Sequence, residues 1–279
     1  MNKGILIIIF LISSFNTTAV NISTDGYGES IILPYYTVNN NLNTLITVNN
    51  STDHVKAVKL HFREGKEGKA VLSFNLYLAP QDIWAAGIVP STSTIPGHQG
   101  EASALFISVD TSCTPFLNAA GQEFLPYEIE AESEDTHMER SREGFIEIIE
   151  MGVVDMNSEL GQAAIIPVGS GIPNSCADIE AAFSNGDWSG ESQLQNQHMQ
   201  QPSGGLSAEA ALIDVAEGVL FSVDAVAFEH FFPEEAFILI SHLCITGLYK
   251  TENCIFLRLL ILPNHLRISL KFFSKSYMV

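Results

Sequence analysis

Two apolar alternations joined by a glycine turn constrain this chain more than any other feature. Val58, Leu60 and Phe62 alternate with Lys59, His61 and Arg63. After Gly65-Lys66-Glu67-Gly68, Leu72, Phe74, Leu76 and Leu78 alternate with Ser73, Asn75 and Tyr77. A period of two is the mark of a half-buried strand. Two such strands across a short turn must aim their apolar sides the same way, because a one-residue slip would expose every one of those side chains. The seven apolar residues are therefore expected to share one core, with Lys59 and Arg63 on the opposite face.

The flanking sequence repeats the theme. Ile31–Val38 is rich in strand formers and ends at Asn39-Asn40-Asn41, Leu45–Val48 ends at Asn49–Asp53, and Ile83–Val89 follows Pro80-Gln81-Asp82. Strands punctuated every ten or so residues predict a mainly β chain: an immunoglobulin-like or related antiparallel β-sandwich. Pro90–Gly205 reads as a long loop-rich insertion, with strands at Leu105–Val109 and Phe145–Glu150. Within it lies one short helix over Ala177–Phe183, capped by Ser175. Leu206–Val215 and Val219–Phe228 read as a hairpin about Ala216-Glu217-Gly218. Glu128, Glu130, Glu132 and Glu134 alternate, which predicts one acidic strand face.

The first nineteen residues fix an address. One lysine precedes the apolar run Gly4–Ile12, and small residues Thr17-Thr18-Ala19 follow, which is the order of a secretory signal peptide. The run is shorter than the roughly 20 residues a membrane span needs. Export to the periplasm, the cell surface or the medium is expected, with no transmembrane span in the mature chain, which would start near Val20.

Of 279 residues, 46% are hydrophobic, enough for a substantial core, and the net charge is −19. Between Val20 and Phe237 there are seven Lys and Arg against 31 Asp and Glu, and residues 143–249 hold no Lys or Arg. Such a surface repels phosphate backbones and anionic lipid, so nucleic acid is excluded as a partner. Cys113 and Cys176 lie in the acidic body, and in an oxidising compartment they read as a disulfide.

Motifs tied to a mechanism are absent. There is no G-x-S-x-G elbow, H-E-x-x-H pair, P-loop or dinucleotide fingerprint, and no catalytic or cofactor-binding residue is assigned. The carboxylates of 123–150 leave three readings open: a solvated acidic face, a cation site, or the acid and base of a glycan hydrolase. Calcium is the only metal with a sequence candidate. Asn185, Asp187, Ser189 and Glu191 fall at positions 1, 3, 5 and 7 of a calcium loop, but Asn196 stands where the bidentate carboxylate belongs.

Leu33–Val38 (LPYYTV), Ala57–Gly65 (AVKLHFREG), Leu72–Trp84 (LSFNLYLAPQDIW), Arg142–Gly152 (REGFIEIIEMG) and Gly204–Phe231 resemble a group of bacterial exported proteins described only as hypothetical or cell-surface proteins. The resemblance implies export and a β-rich body, and it carries no activity or functional residue. It stops near Glu235, where the composition changes. Residues 238–279 hold five Lys and Arg against one Glu, and their apolar runs lose the strand alternation. A cationic segment docking on a membrane and a disrupted reading frame both fit, and the abruptness of the change favours the second. The organisation expected is a signal peptide over 1–19, a sandwich body over 20–237 and an atypical basic apolar tail over 238–279. The function expected is that of an envelope or cell-surface protein, structural or adhesive, with an unidentified envelope component as partner. An extracytoplasmic glycan hydrolase using carboxylates of 123–150 is the alternative.

Overall fold

The computed structural model describes residues 20–184, 199–232, 255–262 and 265–272. In chain order the strands are β1 (Asn21–Ile22), β2 (Ser30–Thr37), β3 (Leu42–Asn50), β4 (Val55–Glu64), β5 (Ala70–Leu78), β6 (Ile83–Thr92), β7 (Ala102–Ile107) and β8 (Gln122–Glu123). After helix α1 (Tyr127–Glu132) and a 3-10 turn (Met138–Arg142) comes the long β9 (Glu143–Val154). Helices α2 (Glu159–Ala164) and α3 (Cys176–Ser184) precede β10 (Met199–Gln200), β11 (Leu206–Asp214), β12 (Val219–Val223) and β13 (Val226–Glu229). A final pair, β14 (Ile255–Leu262) and β15 (His265–Phe272), closes the order.

Two antiparallel sheets face each other as a β-sandwich. The first runs β1-β13-β2-β9-β4-β5, with β10 beside β9, and the second runs β12-β11-β3-β6-β7-β8. Val58, Leu60, Phe62, Leu72, Phe74, Leu76 and Leu78 all join one core, as their alternation demands. Opposite them Trp84 and Phe106 stack, and Phe74 reaches Phe106 at 5.3 Å between ring centres. Lys59 and Asn75, on the other face, are buried as well. That face is not solvated along its length. At one end α2 and α3 pack Leu160, Ala163 and Ile179 against Val55, Ala57 and Tyr77, forming a second cluster. The Cys113–Cys176 disulfide links this helical layer to the segment after β7, with Cα atoms 5.1 Å apart.

Five expectations are corrected. Glu128, Glu130 and Glu132 lie on α1, not on a strand. Pro126 sets the entry, Glu128 and Glu130 stand in the first turn where the helix dipole favours carboxylates, and Ile129 is the residue that buries. The span 90–205 is not one insertion, because β7, β8 and β9 within it are sheet members and β9 sits centrally between β2 and β4. Pro90 lies inside β6, not in a loop. Pairing with β3 stops at Ile88, so the missing N–H of Pro90 falls beyond that neighbour's reach. Among the described residues three α-helices stand in place of one, and α2 is capped by Ser158, whose hydroxyl accepts from Gly161 N at 3.0 Å. The strand after Gly218 is broken at Asp224-Ala225. β12 pairs with β11 in one sheet, while β13 crosses to pair with β2 in the other.

Two other expectations hold. Asn40 and Asn41 take left-handed backbone angles at the β2–β3 turn, a conformation asparagine tolerates better than most residues. Gly65–Gly68 is a hairpin turn whose Lys66, Glu67 and Lys69 N–H groups all donate to the buried Glu64 carboxylate.

Among the described residues β14 and β15 pair only with each other, and residues 238–245 lie outside them. A lone two-stranded hairpin is marginal in water. Truncation after Phe237 is therefore expected to leave the soluble yield of the body unchanged or raised, measured by expression and circular dichroism. Loss of the body's β signal on truncation would instead make the tail part of the fold. The signal segment 1–19 and the calcium-loop candidates Asn185, Asp187, Ser189 and Glu191 also lie outside the described residues.

Candidate functional site

The outer face of the first sheet carries the densest polar constellation. Strand register places Glu147 of β9, His61 of β4 and Ser73 of β5 in one row, and α1 lays Tyr127 and Glu128 beside it. His61 Nδ1 is 2.8 Å from Ser73 Oγ, which is 3.4 Å from the Tyr127 hydroxyl. Burial, and then the neighbouring Lys59 and Arg63 charges, hold His61 well below the usual histidine range, so the ring is neutral at pH 7. Burial also pulls Lys59 down to about 8. A neutral imidazole against a partly exposed serine is the minimum of a nucleophilic pair.

The remaining geometry does not complete one. Glu147, the nearest carboxylate in register, donates nothing to the ring's orientation, because its Oε2 accepts from Arg63 Nε at 2.5 Å. His61 Nε2 is buried and has no hydrogen-bond partner among the described residues. A triad needs that second nitrogen oriented by a third group.

Most of the carboxylates named for a hydrolase are engaged by neighbours in the fold. Glu123 accepts from Thr94 N and Oγ1, both at 3.0 Å. Glu128 accepts from Ala70 N at 2.5 Å and lies 4.0 Å from Arg63. Burial raises the Glu128 carboxyl above the usual range, against the pull of that N–H and of Arg63. Glu130 meets His98 and Glu132 meets Lys69. Glu143 accepts from the Tyr35 hydroxyl at 3.1 Å. Glu150 is fully buried against Lys56, 2.6 Å away. The acidic stretch is thus divided among the edge strand β8, helix α1 and the central strand β9, where its glutamates fasten separate parts of the fold.

No family model, curated protein or solved structure matches this chain. Its chemistry rests on its own geometry. Among the described residues no three His, Cys, Asp or Glu side chains converge as metal ligands would. No helix there is long and apolar enough to cross a membrane.

Two polar features were missed in the sequence. The Lys56–Glu150 pair is concealed by its spacing: Lys56 takes the inward position two residues before Val58, and Glu150 the one two residues after Ile148. The His61–Ser73 pair was within reach, since the hairpin about Gly65–Gly68 fixes which residues of the two strands face each other.

Proposed function

We propose that the protein is an exported envelope or cell-surface component of the bacterial kind its motifs resemble, with a structural or adhesive role. The observation that carries this reading is the employment of the acidic residues. Glu123, Glu128, Glu130, Glu132, Glu143, Glu147 and Glu150 each hold a named partner that stabilises the fold. A glycosidase instead presents two carboxyls to a substrate across an open cleft. Surface chemistry supports a contact-making role. Leu45 and Ile83 are exposed on the outer face of the second sheet, and Leu220 and Phe221 are exposed on its edge strand β12. That edge carries no lysine or proline, the devices that ordinarily discourage pairing with another chain.

One observation favours hydrolysis: the raised carboxyl of Glu128, a state suited to a general acid. The two readings part in one experiment. The purified body is incubated with peptidoglycan and with a soluble β-glucan, and reducing ends are followed for the native chain and for Glu128→Gln. The structural reading expects no release above the Glu128→Gln background. Release that falls at least tenfold in Glu128→Gln would establish the hydrolase. Fractionation of cells producing the full chain tests the address, which for an exported protein is outside the cytoplasm with a mature start near Val20.

A further inference from the structure

We propose that His98 is a proton-controlled latch, holding the 93–101 loop against α1 and releasing it from that helix when the ring gives up a proton. The loop joins β6 to β7 and carries Ile95, which packs on the edge of the core. His98 sits inside the loop's own turn, its N–H donating to Ile95 O at 2.9 Å, and its ring is only 6% exposed.

The geometry of the ring sets its protonation. Nδ1 lies 3.1 Å from Glu101 Oε2 and Nε2 lies 2.9 Å from Glu130 Oε1. A carboxylate only accepts, so both contacts are hydrogen bonds only if both nitrogens carry hydrogen, which makes the ring an imidazolium. A neutral imidazole has one donor. It would set a bare nitrogen lone pair against one carboxylate and lose that arm of the latch.

Each element around the ring contributes. Glu101 comes from the loop itself, and its Oε2 also accepts from Met138 N, the first residue of the 3-10 turn, at 2.7 Å. Its other oxygen is 3.2 Å from Nδ1 of the exposed His137. Glu130 comes from α1 and is half exposed. The far end of the loop is tied separately, Thr94 donating to Glu123 of β8. His98 thus bridges the loop to α1 through Glu130, while Glu101 of the same loop holds the 3-10 turn directly through Met138 N.

The bond to Glu130 and the bonds and charge of Glu101 raise His98 above the usual histidine value of 6.5, against the opposing effect of burial. A raised value means the latch contributes fully below pH 6.5 and is lost as pH climbs through the folded-state value. At the acid end, the Met138 N–H first, then His98 and His137, hold Glu101 below 4.5. Its share is lost only as pH falls through that lowered value. The latch is closed below pH 6.5, down to the lowered value of Glu101, and opens as pH climbs above 6.5 through the raised value of His98.

Hydrogen exchange of residues 93–101 at pH 6 and pH 9, corrected for intrinsic rates, tests this on the full chain. Protection in the native protein should fall severalfold from pH 6 to pH 9, while the core segment 58–62 keeps its protection. Glu130→Gln, at a half-exposed position that leaves the core intact, should remove most of that pH step. His98→Gln should remove it entirely. Nitrogen-15 spectra of the ring should show both nitrogens protonated at pH 6, with a titration midpoint above 6.5. A midpoint at or below 6.5, or an undiminished pH step in Glu130→Gln, would overturn the proposal.

Discussion

Glu150→Leu is expected to destabilise the body by about 3–5 kcal/mol, the cost of stranding one partner of a buried ion pair. Lys56 Nζ has all three of its hydrogens placed: on Glu150 Oε1 at 2.6 Å, on Ser203 Oγ at 2.7 Å and on Gly204 O at 2.8 Å. Glu150 in turn accepts from Ser203 N and Gly204 N. Both side chains are fully buried, so removing the carboxylate leaves an ammonium with no counter-charge. The double variant Lys56→Met with Glu150→Leu should recover most of the loss, because an apolar pair of similar volume needs no desolvation of charge. Urea unfolding of the single and double variants measures the difference. If Glu150→Leu shifted stability by under about 1 kcal/mol, the site would be wetter than its burial indicates.

Removing the disulfide, as Cys113→Ser with Cys176→Ser, should cost about 4 kcal/mol, the chain-entropy value for a loop closed across this separation. The bridge spans 63 positions, and it does more than tether distant chain. Cys113 O accepts from Tyr77 N at 2.9 Å on the outer edge of β5, and Cys176 begins α3. The loss should therefore be felt first in the layer of α2 and α3. Urea unfolding with and without reductant measures the total. Exchange protection at Ile179 and Ala182 should fall before protection at Leu60 and Phe62.

The contrast between those two regions follows what the sequence could express. β4 and β5 were legible because each apolar residue stands two from the next, and a short turn leaves only one register that buries them all. Cys113 and Cys176 were paired on a different ground, their shared place in the acidic body of a chain expected in an oxidising compartment. Glu128–Glu134 misled because a period of two in charge alone carries no burial signal. Only Ile129 is buried on α1, so its helical form depends on contacts made by β5 and the 93–101 loop. The crossing at Asp224-Ala225 was illegible for a different reason. Val219–Phe228 is apolar enough to continue as one strand, and which sheet receives it is decided by the edge of β2, nearly two hundred residues away. His98 and Glu101 share one loop, but Glu130 comes from α1, 32 positions from His98, and no local pattern joins all three.

The pairing at the edge of the first sheet has a temporal consequence. β1 hydrogen-bonds to β13 through Asn21↔Glu229 and Ile22↔Phe228, and β13 also supplies the partner of Ser30, Ile31 and Ile32 in β2. Until residue 229 has emerged, the first strands of the chain have an edge with nothing to bind. Such long-range closure makes folding slow and leaves early strands open to wrong partners. A polypeptide threaded through a membrane pore from its N-terminus would therefore stay incomplete for nearly its whole passage. Its first sheet closes at this edge only when Val226–Glu229 arrive, so the opening strands wait on nearly the whole body wherever the chain folds.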